Sequence, residues 1–439
     1  MQDVLLKKNQ QLKLTNGQTI TVTGKLGGGG QGIVYLVQMD DTGEEKALKW
    51  YFAETLRKSA NLYSNLEANI KRGSPAPQFA WPEYLTEPID EVFGYVMQRI
   101  PPEYKVYSKY LLARESFRSH EAMVNTTLNL VTAFYALHQM GYNYQDFNDA
   151  NFAVRPQDGD LLIFDNDNVM GYGMNSGVVG KRRYMAPELV RGEKMPDKYT
   201  DRYSLSLMLF LILVGNHPLE GVKTNVPCLT NKYDKRFFGT DPLFIFDADN
   251  SANVPVLGLH QNALNLWPCY PDFIRSAFQQ DFSRKSLLEG KGRLHELEWM
   301  HLLVQLKSSI AKCPHCGETT FVNSSRTMNC SKCGREIMPA GYLRFLKRRS
   351  NREIRVPIFE GAALYAYHMD GQSSDYQTRA ASVLVKPGKF GLRNESGRTW
   401  KVTSASGDVR SYAPGETVVL GIGVTIDFGG GNAAEVVAN

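Results

Sequence analysis

Segment 144–151, which reads Tyr-Gln-Asp-Phe-Asn-Asp-Ala-Asn, contains two residues of types that take part in catalysis. Asp146 has a carboxylate, which can take up a proton. Asn151, five positions later, has an amide oxygen, which can bind a cation. The same residue types are common in surface turns, so the pair alone predicts no activity. Its meaning depends on the residues that accompany it along the chain.

A glycine-rich segment precedes this pair. Residues 26–35 read Leu-Gly-Gly-Gly-Gly-Gln-Gly-Ile-Val-Tyr and fit the pattern Gly-x-Gly-x-x-Gly-x-Val at Gly27, Gly29, Gly32 and Val34. Glycine lets a hairpin backbone approach phosphate groups and point its amides at them without interference from Cβ atoms. A flexible hairpin tip is the alternative interpretation.

The next predicted strand ends in Ala47, Leu48 and Lys49. A lysine after two apolar residues is usually a solvated strand end. The position of Lys49 relative to the glycine-rich segment favours a phosphate-binding role instead.

Apolar spacing predicts a helix over residues 55–71, closed by a Gly-Ser-Pro sequence. Its recurring apolar residues are Leu56, Leu62, Leu66 and Ile70. Glu67 lies on this helix at a distance suited to an ion pair with Lys49. A solvated Glu67 is the alternative, and Glu54, before the helix body, is a competing partner.

Residues 161–165, Leu-Leu-Ile-Phe-Asp, predict a buried strand that delivers Asp165 to a site. We expect Asp167, two positions later, to be a solvated turn residue rather than a second metal ligand.

A long apolar helix is predicted over residues 128–141. It contains His138, which we expect to be a packed or surface histidine without a catalytic role.

Segment 180–188 reads Gly-Lys-Arg-Arg-Tyr-Met-Ala-Pro-Glu and ends in the Ala-Pro-Glu sequence that closes kinase activation segments. Because about eight motifs keep their order, residues from about 18 to 306 resemble a eukaryotic-like protein kinase domain. The resemblance implies a bilobal α+β fold that uses ATP with Mg²⁺ or Mn²⁺.

The resemblance also implies roles for the matching residues. Asp146 is the implied catalytic base, Lys49 and Glu67 the implied ion pair, and Asn151 and Asp165 the implied metal ligands. The implied ATP site consists of Gly27, Gly29, Gly32, Val34, Ala47, Lys49, Met97, Gln98 and Ile100. Within it, Met97 on the predicted strand 93–100 is the gatekeeper, and the backbone groups of Gln98 and Ile100 bind adenine.

The catalytic loop departs from the kinase pattern at two positions. Gln145 stands where an arginine usually precedes the base, so regulation through a phosphorylated activation segment is not expected. Asn148 stands where a lysine usually neutralises charge on the transferred phosphoryl group. A pseudokinase is therefore one interpretation.

Lys181 offers a second interpretation. It follows Gly180, at the position where serine/threonine kinases usually carry threonine. Its side chain, about 6 Å long, could reach back toward Asp146 and the γ phosphate and replace the charge that Asn148 lacks. Alternatively, Lys181 and the two arginines after it form a solvated basic patch or contact an acidic substrate.

Two further residues have structural partners that the resemblance implies. Asp201 resembles the aspartate that opens a buried central helix and braces the catalytic loop. Arg293 is positioned to pair with Glu188. Ordinary helix-terminal charges are the alternative for both.

Four of the six cysteines form two Cys-x-x-Cys pairs, each followed by glycine, namely Cys313, Cys316, Cys330 and Cys333. This spacing can place four thiolates tetrahedrally around Zn²⁺ and predicts a structural zinc ribbon, with His315 outside the ligand set. Two disulfides are the alternative, but no signal peptide is recognised, which favours a reducing compartment. We expect Cys228 and Cys269 to be reduced thiols.

A basic run follows the ribbon, namely Arg344, Lys347, Arg348, Arg349, Arg352 and Arg355. It has no series of stacking aromatic residues and the net charge is only +5, so an interdomain linker is favoured over a nucleic-acid site. From about residue 356, alternating segments such as 399–403 and 418–428 predict a small β-sandwich or barrel. Its expected role is to bind a partner or the kinase lobe.

The length of 439 residues exceeds one kinase core and leaves room for two small modules. We predict a protein-kinase-like domain over residues 1–306, with lobes at about 18–100 and 101–306. A zinc ribbon over 307–340 and a small all-β domain over 341–439 follow. The longest apolar run, 205–214, is too short to span a membrane, so a soluble cytoplasmic protein is expected.

The motifs and their order more narrowly resemble bacterial serine/threonine kinases found near tellurite-resistance genes. There they occur with a von Willebrand A protein and a PP2C-type phosphatase, which the resemblance implies as partners besides ATP and a protein substrate. The predicted function is phosphoryl transfer from ATP to serine or threonine hydroxyls of the chain itself or a partner. A nucleotide-binding pseudokinase scaffold and a nucleic-acid adaptor are the alternatives.

Overall fold

The computed structural model describes residues 3–59, 61–174, 180–228, 230–323, 327–346, 354–386 and 388–438. These residues form a sheet-rich N-terminal lobe, a mainly helical second lobe and a C-terminal region of β-strands with one short helix. Within these ranges, no helix combines the length and the apolar character needed to cross a membrane.

The N-terminal lobe is built on an antiparallel sheet. Its strands are β1 (Gln11–Lys13), β2 (Thr19–Gly28), β3 (Gly32–Met39), β4 (Glu45–Tyr51), β5 (Pro82–Leu85) and β6 (Gly94–Gln98). They lie in the order β1-β2-β3-β4-β6-β5. Side chains alternate between the two faces of each strand. Leu48 therefore packs into the core on one face and Ala47 into the core on the other.

The helix predicted over residues 55–71 is present as two helices, α1 (Ala53–Lys58) and α2 (Leu62–Arg72). The break includes Ser59 and Asn61, whose short polar side chains compete with helical backbone hydrogen bonds. Helix α2 packs on the sheet through Leu66, which is buried with Tyr95 and Met97 of β6.

The second lobe combines short strands with helices. Its strands are β7 (Lys105–Val106), β8 (Tyr142–Tyr144), β9 (Phe152–Val154), β10 (Leu161–Ile163) and β11 (Val169–Gly171). Its helices are α3 (Ser108–Leu111), α4 (His120–Gln139), α5 (Pro187–Arg191), α6 (Lys198–Val214), α7 (Asn231–Lys235), α8 (Gln261–Leu266), α9 (Asp272–Asp281), α10 (Arg284–Glu289) and α11 (Glu296–Ser308).

Helix α6 lies at the centre of this lobe, because its residues from 205 to 214 are all buried and, except for Ser206, apolar. Helices α4 and α11 pack with α6 in the same core, which includes Leu137, Phe210 and Trp299. On this base, β8 pairs with β11, and β9 lies between β7 and β10. The loop from β8 to β9 is therefore held at both ends.

The C-terminal region begins with two small hairpins, formed by β12 (Ile310–Lys312) with β13 (Thr319–Phe321) and β14 (Met328–Asn329) with β15 (Glu336–Ile337). The strands that follow are β16 (Tyr342–Phe345), β17 (Arg355–Pro357), β18 (Ala363–Tyr365), β19 (Arg379–Lys386), β20 (Lys389–Asn394), β21 (Trp400–Thr403), β22 (Val409–Tyr412), β23 (Thr417–Val419), β24 (Thr425–Asp427) and β25 (Ala433–Val437). Helix α12 (Ala366–Met369) lies between β18 and β19.

These later strands form two antiparallel sheets, β17-β16-β25-β24-β21-β22 and β18-β19-β20-β23. Both contribute to one core that contains Leu392, Trp400 and Ile426, as expected for a sandwich. The predicted strand over 418–428 is wrong as a single element. It is two strands, β23 and β24, because Gly421 and Gly423 lie in a turn between them.

The C-terminal region packs against the second lobe. Phe321, Tyr365 and Tyr367 belong to the same buried cluster as the core of that lobe. The Lys307 ammonium group at the end of α11 lies 4.1 Å from the centre of the Tyr365 ring. The predicted domain boundaries at residues 306 and 340 stay predictions.

Candidate functional site

The loop that carries Asp146 is braced from below by helix α6. The carboxylate of Asp201 accepts the backbone N–H of Tyr144 at 2.6 Å, and His138 contacts the same carboxylate at 3.1 Å. The predicted brace by Asp201 is confirmed, and so is the packed position of His138. The start of the loop is thus fixed by a buried acceptor.

Asp146 and Asn151 lie together, as their spacing predicts. The Asn151 side-chain nitrogen donates to the Asp146 carbonyl oxygen at 2.7 Å, so Oδ1 is the atom that Asn151 can offer to a cation. Burial raises the pKa of Asp146, while the backbone N–H and the charge of Lys181 oppose this shift without reversing it. A raised pKa makes a carboxylate a better proton acceptor.

Lys181 reaches the position that Asn148 occupies in the catalytic loop. Its ammonium group donates to Asn148 Oδ1 at 3.0 Å, and its backbone N–H lies 3.4 Å from Asp146 Oδ1. Gly180 leaves room for this approach, because a Cβ atom there would make a tight contact of 3.1 Å with Asp146 Oδ1. The structure therefore brings Lys181 to the loop whose lysine is missing.

The glycine-rich hairpin joins β2 to β3. Gly29 donates to the Gly32 carbonyl at 2.9 Å and closes the turn. At Gly32 a side chain is excluded, since its Cβ would lie 2.2 Å from the Trp50 carbonyl oxygen. At Gly27 and Gly29, no heavy atom of the described residues lies within 4 Å of a Cβ position. These two glycines leave open space at the hairpin.

The residues predicted to surround adenine lie on adjacent strands. Val34 is opposite Lys49 in the β3–β4 register, and Ala47 is opposite Met97 in the β4–β6 register. Ala47 and Met97 are buried, whereas Gln98 is exposed and Ile100 is half-buried where the chain leaves β6. The structure thus groups these residues at one end of the sheet, next to the connection between the lobes.

Lys49 does not pair with Glu67 in this structure. Its ammonium group instead donates to Asp165 at 2.5 Å, to Asp167 at 2.7 Å and to Gln31 at 2.9 Å. Glu67 is exposed on α2, where Asn65, Leu66 and Asn69 occupy the buried face. The predicted ion pair is therefore absent, because the helical repeat turns Glu67 to solvent.

Asp165 and Asp167 have different environments. Asp165 has a left-handed backbone with φ of 65°, a conformation that costs energy in a residue with a Cβ atom and is often found at functional sites. The prediction that Asp167 is a solvated turn residue is wrong. It is 2% exposed and accepts hydrogen bonds from Lys49 and from the Tyr51 hydroxyl. Sequence reasoning missed Tyr51, although its two-residue offset from Lys49 puts both side chains on one face of β4.

The segment that ends in Ala-Pro-Glu is anchored to the second lobe by a buried ion pair. Arg293 donates to both carboxylate oxygens of Glu188, at 2.7 and 2.9 Å. This predicted pair is confirmed. Arg183 also pairs with Glu220, so the residues around Lys181 have fixed neighbours.

The family described as Protein kinase domain matches residues 20–239, which is half of the 439-residue chain. The chain belongs to the protein kinase family. The matched part of this kinase includes the glycine-rich hairpin, Lys49, Asp146 and Asp165.

Several curated serine/threonine-protein kinases are similar to parts of this kinase. It is 32% identical over 113 residues to AtPK1/AtPK6 of Arabidopsis thaliana, covering 25% of this chain and 24% of that protein. It is 27% identical over 205 residues to AtPK2/AtPK19 of the same plant, covering 46% and 42%. It is 30% identical over 101 residues to the probable kinase PknB of Bifidobacterium longum, covering 21% and 14%. The chain thus spans less than half the length of each.

A second candidate site lies in the hairpins that follow the kinase lobe. The sulfur atoms of Cys313, Cys316, Cys330 and Cys333 all lie within 4.8 Å of one another. The Cys313–Cys333 and Cys316–Cys330 sulfur distances are 3.8 and 3.7 Å. A tetrahedral zinc site with Zn–S bonds of about 2.3 Å has sulfur atoms about 3.8 Å apart. The four thiols therefore fit this metal.

The backbone around the cysteines supports the same geometry. The N–H groups of His315 and Lys332 each donate to the sulfur of a neighbouring cysteine at 3.4 Å. Gly317 and Gly334 have φ of 74° and 71°, which favours glycine after each pair. His315 contacts the Glu336 carbonyl and is not grouped with the four sulfur atoms.

The basic run lies only partly within the described residues. Arg344 pairs with Glu435 in the neighbouring strand β25. Arg355 lies opposite Arg344 in the neighbouring strand β17, so the linker prediction is wrong for these two residues, which belong to the sheet. Lys347, Arg348, Arg349 and Arg352 lie outside the described residues, and for them it stays a prediction.

Proposed function

We propose that this protein transfers the γ-phosphoryl group of ATP to serine or threonine hydroxyls, on itself or on a protein partner. The observation that carries the proposal is the position of the Lys181 ammonium, which lies 3.0 Å from Oδ1 of Asn148, a residue of the loop that contains Asp146. Family membership and the similarity to serine/threonine-protein kinases support the same reaction class.

In the proposed reaction, Asp146 accepts the proton of the substrate hydroxyl as the oxygen attacks the γ phosphorus. The bond between the γ phosphorus and the oxygen bridging to the β phosphate breaks, and ADP leaves. Lys49 holds the α and β phosphates. Asn151 and Asp165 would hold Mg²⁺ or Mn²⁺, which when bound neutralises charge on the phosphate oxygens. These residues offer the oxygen ligands that such ions prefer, and Asp165 is only partly buried.

Lys181 supplies the cation that the catalytic loop lacks. A fixed positive charge near the transferred phosphoryl group stabilises the charge that develops there in the transition state. The Asn148 amide oxygen serves as the docking point for the ammonium, which confines a flexible side chain to the site. The basic-patch alternative gives no reason for this hydrogen bond.

Adenine recognition is proposed for the end of the sheet beside the lobe connection. Val34, Ala47 and Met97 would contact the base, and backbone groups of Gln98 and Ile100 would bind its edge. The phosphates would lie under the hairpin that contains Gly27, Gly29 and Gly32, where the open space at the first two glycines supports the assignment.

The four cysteines are proposed to bind one structural Zn²⁺, which would hold the two hairpins together. Their close sulfur distances support a metal site. No disulfide joins them in this structure.

We propose that the ribbon over residues 307–340 and the β-rich domain over 341–439 are separate modules that follow the kinase domain in the chain. From the sequence resemblance we also propose two partners, a von Willebrand A protein and a PP2C-type phosphatase. We further propose a cytoplasmic location, and we do not propose nucleic-acid binding.

One observation favours the alternative, a nucleotide-binding scaffold without transfer. Lys49 pairs directly with Asp165, so the phosphate-binding lysine and a metal ligand engage each other. A pseudokinase could keep this pair. The enzyme must separate it when nucleotide and metal bind.

The test is transfer of labelled γ phosphate from ATP to the chain or to a generic protein substrate. We expect transfer by the wild-type protein and none by Asp146→Ala or Asp165→Ala, with both variants folded. Absence of transfer from all three, together with nucleotide binding by the wild type, would establish the scaffold instead. Thermal stabilisation by ATP cannot decide, because both readings predict it.

A further inference from the structure

The Lys49 ammonium needs a fixed anion because its side chain is almost fully buried. The residue is 4% exposed. An ion taken out of water loses favourable solvation unless a partner and hydrogen bonds replace the water. If Asp165 binds a metal, its negative charge is directed away from Lys49. A second anion is then required to hold Lys49 in place.

Asp167 has the properties of that second anion. Its Oδ2 atom lies 2.7 Å from the Lys49 ammonium and accepts the Tyr51 hydroxyl at 2.6 Å. Its side chain is 2% exposed, whereas that of Asp165 is 34% exposed. The more accessible carboxylate can bind an incoming ion, and the buried one is held by two donors.

Helix α2 forms hydrogen bonds with the backbone around Asp167, but none of its carboxylates pairs with Lys49. Asn65 donates to the carbonyl oxygens of Asp167 at 3.4 Å and Val169 at 3.2 Å. Asn69 donates to the Val169 carbonyl at 3.1 Å. The helix therefore positions the counterion through amide groups, while its glutamate, Glu67, faces solvent.

We propose that Asp167 is the positioning residue for Lys49 and takes the role that the resemblance assigns to Glu67. The inference rests on the proposed function, in which Lys49 binds the α and β phosphates. Asp167, Tyr51 and Lys49 form one chain of hydrogen bonds, so Lys49 keeps its orientation when Asp165 turns to a metal. The ion pair then requires no glutamate from α2.

The other oxygen of Asp167 allows a competing role. Oδ1 is buried and has no hydrogen-bond partner among the described residues. A carboxylate oxygen in this state could bind a second metal ion. A metal ligand and a positioning residue differ in their expected kinetics, and the experiment is designed to separate them.

The experiment measures kcat, the KM for ATP and the Mg²⁺ requirement of Asp167→Asn, which keeps the shape and removes the charge. We expect kcat to fall about 10²-fold, the size of effect that a misplaced catalytic group produces. The double variant with Lys49→Met should be no slower than Lys49→Met alone, because Asp167 acts through Lys49. Asp41→Asn, an exposed carboxylate of the same lobe, is the matched control.

Three results would overturn the assignment. The first is that Glu67→Gln lowers kcat as much as Asp167→Asn does. The second is that the effects of Asp167→Asn and Lys49→Met add in their double variant. The third is that Asp167→Asn raises only the Mg²⁺ requirement. Tyr51→Phe, which releases Asp167 without removing it, should lower kcat by less than Asp167→Asn. It is the substitute if Asp167→Asn does not fold.

A binding measurement keeps failure of this inference separate from failure of the proposed function. If the wild type transfers no phosphate, the affinities for ADP and adenosine are compared by calorimetry. Loss of Lys49 orientation should weaken ADP binding about tenfold in Asp167→Asn and leave adenosine binding unchanged, since only ADP has phosphates. Equal ADP affinities in the two proteins would reject Asp167 as the positioning residue.

Discussion

The side-chain ammonium of Lys181 lies 3.0 Å from Oδ1 of Asn148, although the two residues are 33 positions apart in the chain. Asn148 stands where the resemblance to protein kinases implies a lysine. The catalytic loop has no lysine at this position, but the ammonium group of Lys181, from the segment that ends in Ala-Pro-Glu, lies beside it. Under the proposed function, phosphoryl transfer therefore depends on the placement of that segment.

Lys181→Met should lower kcat by about 10² to 10³-fold, the effect of removing one group that stabilises transition-state charge. Arg182→Met is the matched control, because Arg182 belongs to the same basic run but faces Asp234 and Asn231. Initial rates of labelled phosphate transfer provide the measurement. Equal rate losses in the two variants would support the basic-patch interpretation.

Asn148→Lys should restore much of the activity of Lys181→Met, because a lysine in the catalytic loop is the usual source of this charge. In the wild-type background the same substitution should weaken transfer, since two ammonium groups would then compete for one site. The measurement is the rate of phosphate transfer by the Asn148→Lys, Lys181→Met double variant, compared with that of Lys181→Met alone. No recovery would show that the charge position is not interchangeable.

Arg293→Met should lower the free energy of unfolding by about 3–5 kcal/mol, because it leaves the buried Glu188 carboxylate without its cation. Urea denaturation measures the loss. Glu188→Gln combined with Arg293→Met should cost less than the sum of the single changes, since the pair is lost only once. Simple additivity would contradict a direct interaction.

The contribution of His217 to stability should rise with pH between about 4 and 6.5, and that of Asp281, whose pKa burial raises to about 7, should fall in the same window. Burial lowers the pKa of this histidine from 6.5 to about 4, Glu220 opposes the shift and Arg183 adds to it. The unfolded state therefore binds a proton in this window that the folded state does not. The contribution to the unfolding free energy is about 1.4 kcal/mol per pH unit within the window.

His217→Gln should remove this part of the slope, and chemical denaturation at several pH values would measure it. His217 contacts the Arg183 carbonyl at 2.8 Å and accepts the Leu219 backbone N–H at 3.1 Å. Since Asp281, Glu220 and Arg183 are present in both proteins, the difference between the two slopes reports on His217 and on the lowering of the Glu220 pKa that His217 causes. An unchanged slope would contradict the prediction.

Purified protein should contain about one zinc ion per chain, measured by atomic emission. Cys313→Ser and Cys330→Ser should each lose the metal and lower the melting temperature, because binding energy of a structural zinc contributes to folding. Cys228→Ser and His315→Ala are the controls and should retain it, since neither residue belongs to the four-sulfur group. Full zinc content in Cys313→Ser would exclude the proposed ligand set.

The sequence alone determined the features that depend on local order. Asp146, Asn151 and the Ala-Pro-Glu segment could be placed because each motif has its own spacing and a fixed position along the chain. The apolar run of α6 predicted a buried helix, and the two Cys-x-x-Cys pairs predicted a cluster of sulfur atoms. These features need only near neighbours in sequence.

Tertiary structure alone decided which side chains meet. The distance in sequence between Lys49 and Glu67 did not show that Glu67 would face solvent on α2. The residues next to Asp167 in sequence did not indicate that Lys49 and Tyr51 are its partners. The sequence predicted, as one of two interpretations, that Lys181 reaches toward Asp146, and only the fold showed that its ammonium contacts Asn148. Ion pairs depend on distances of a few ångströms between distant segments, and those distances are set by packing.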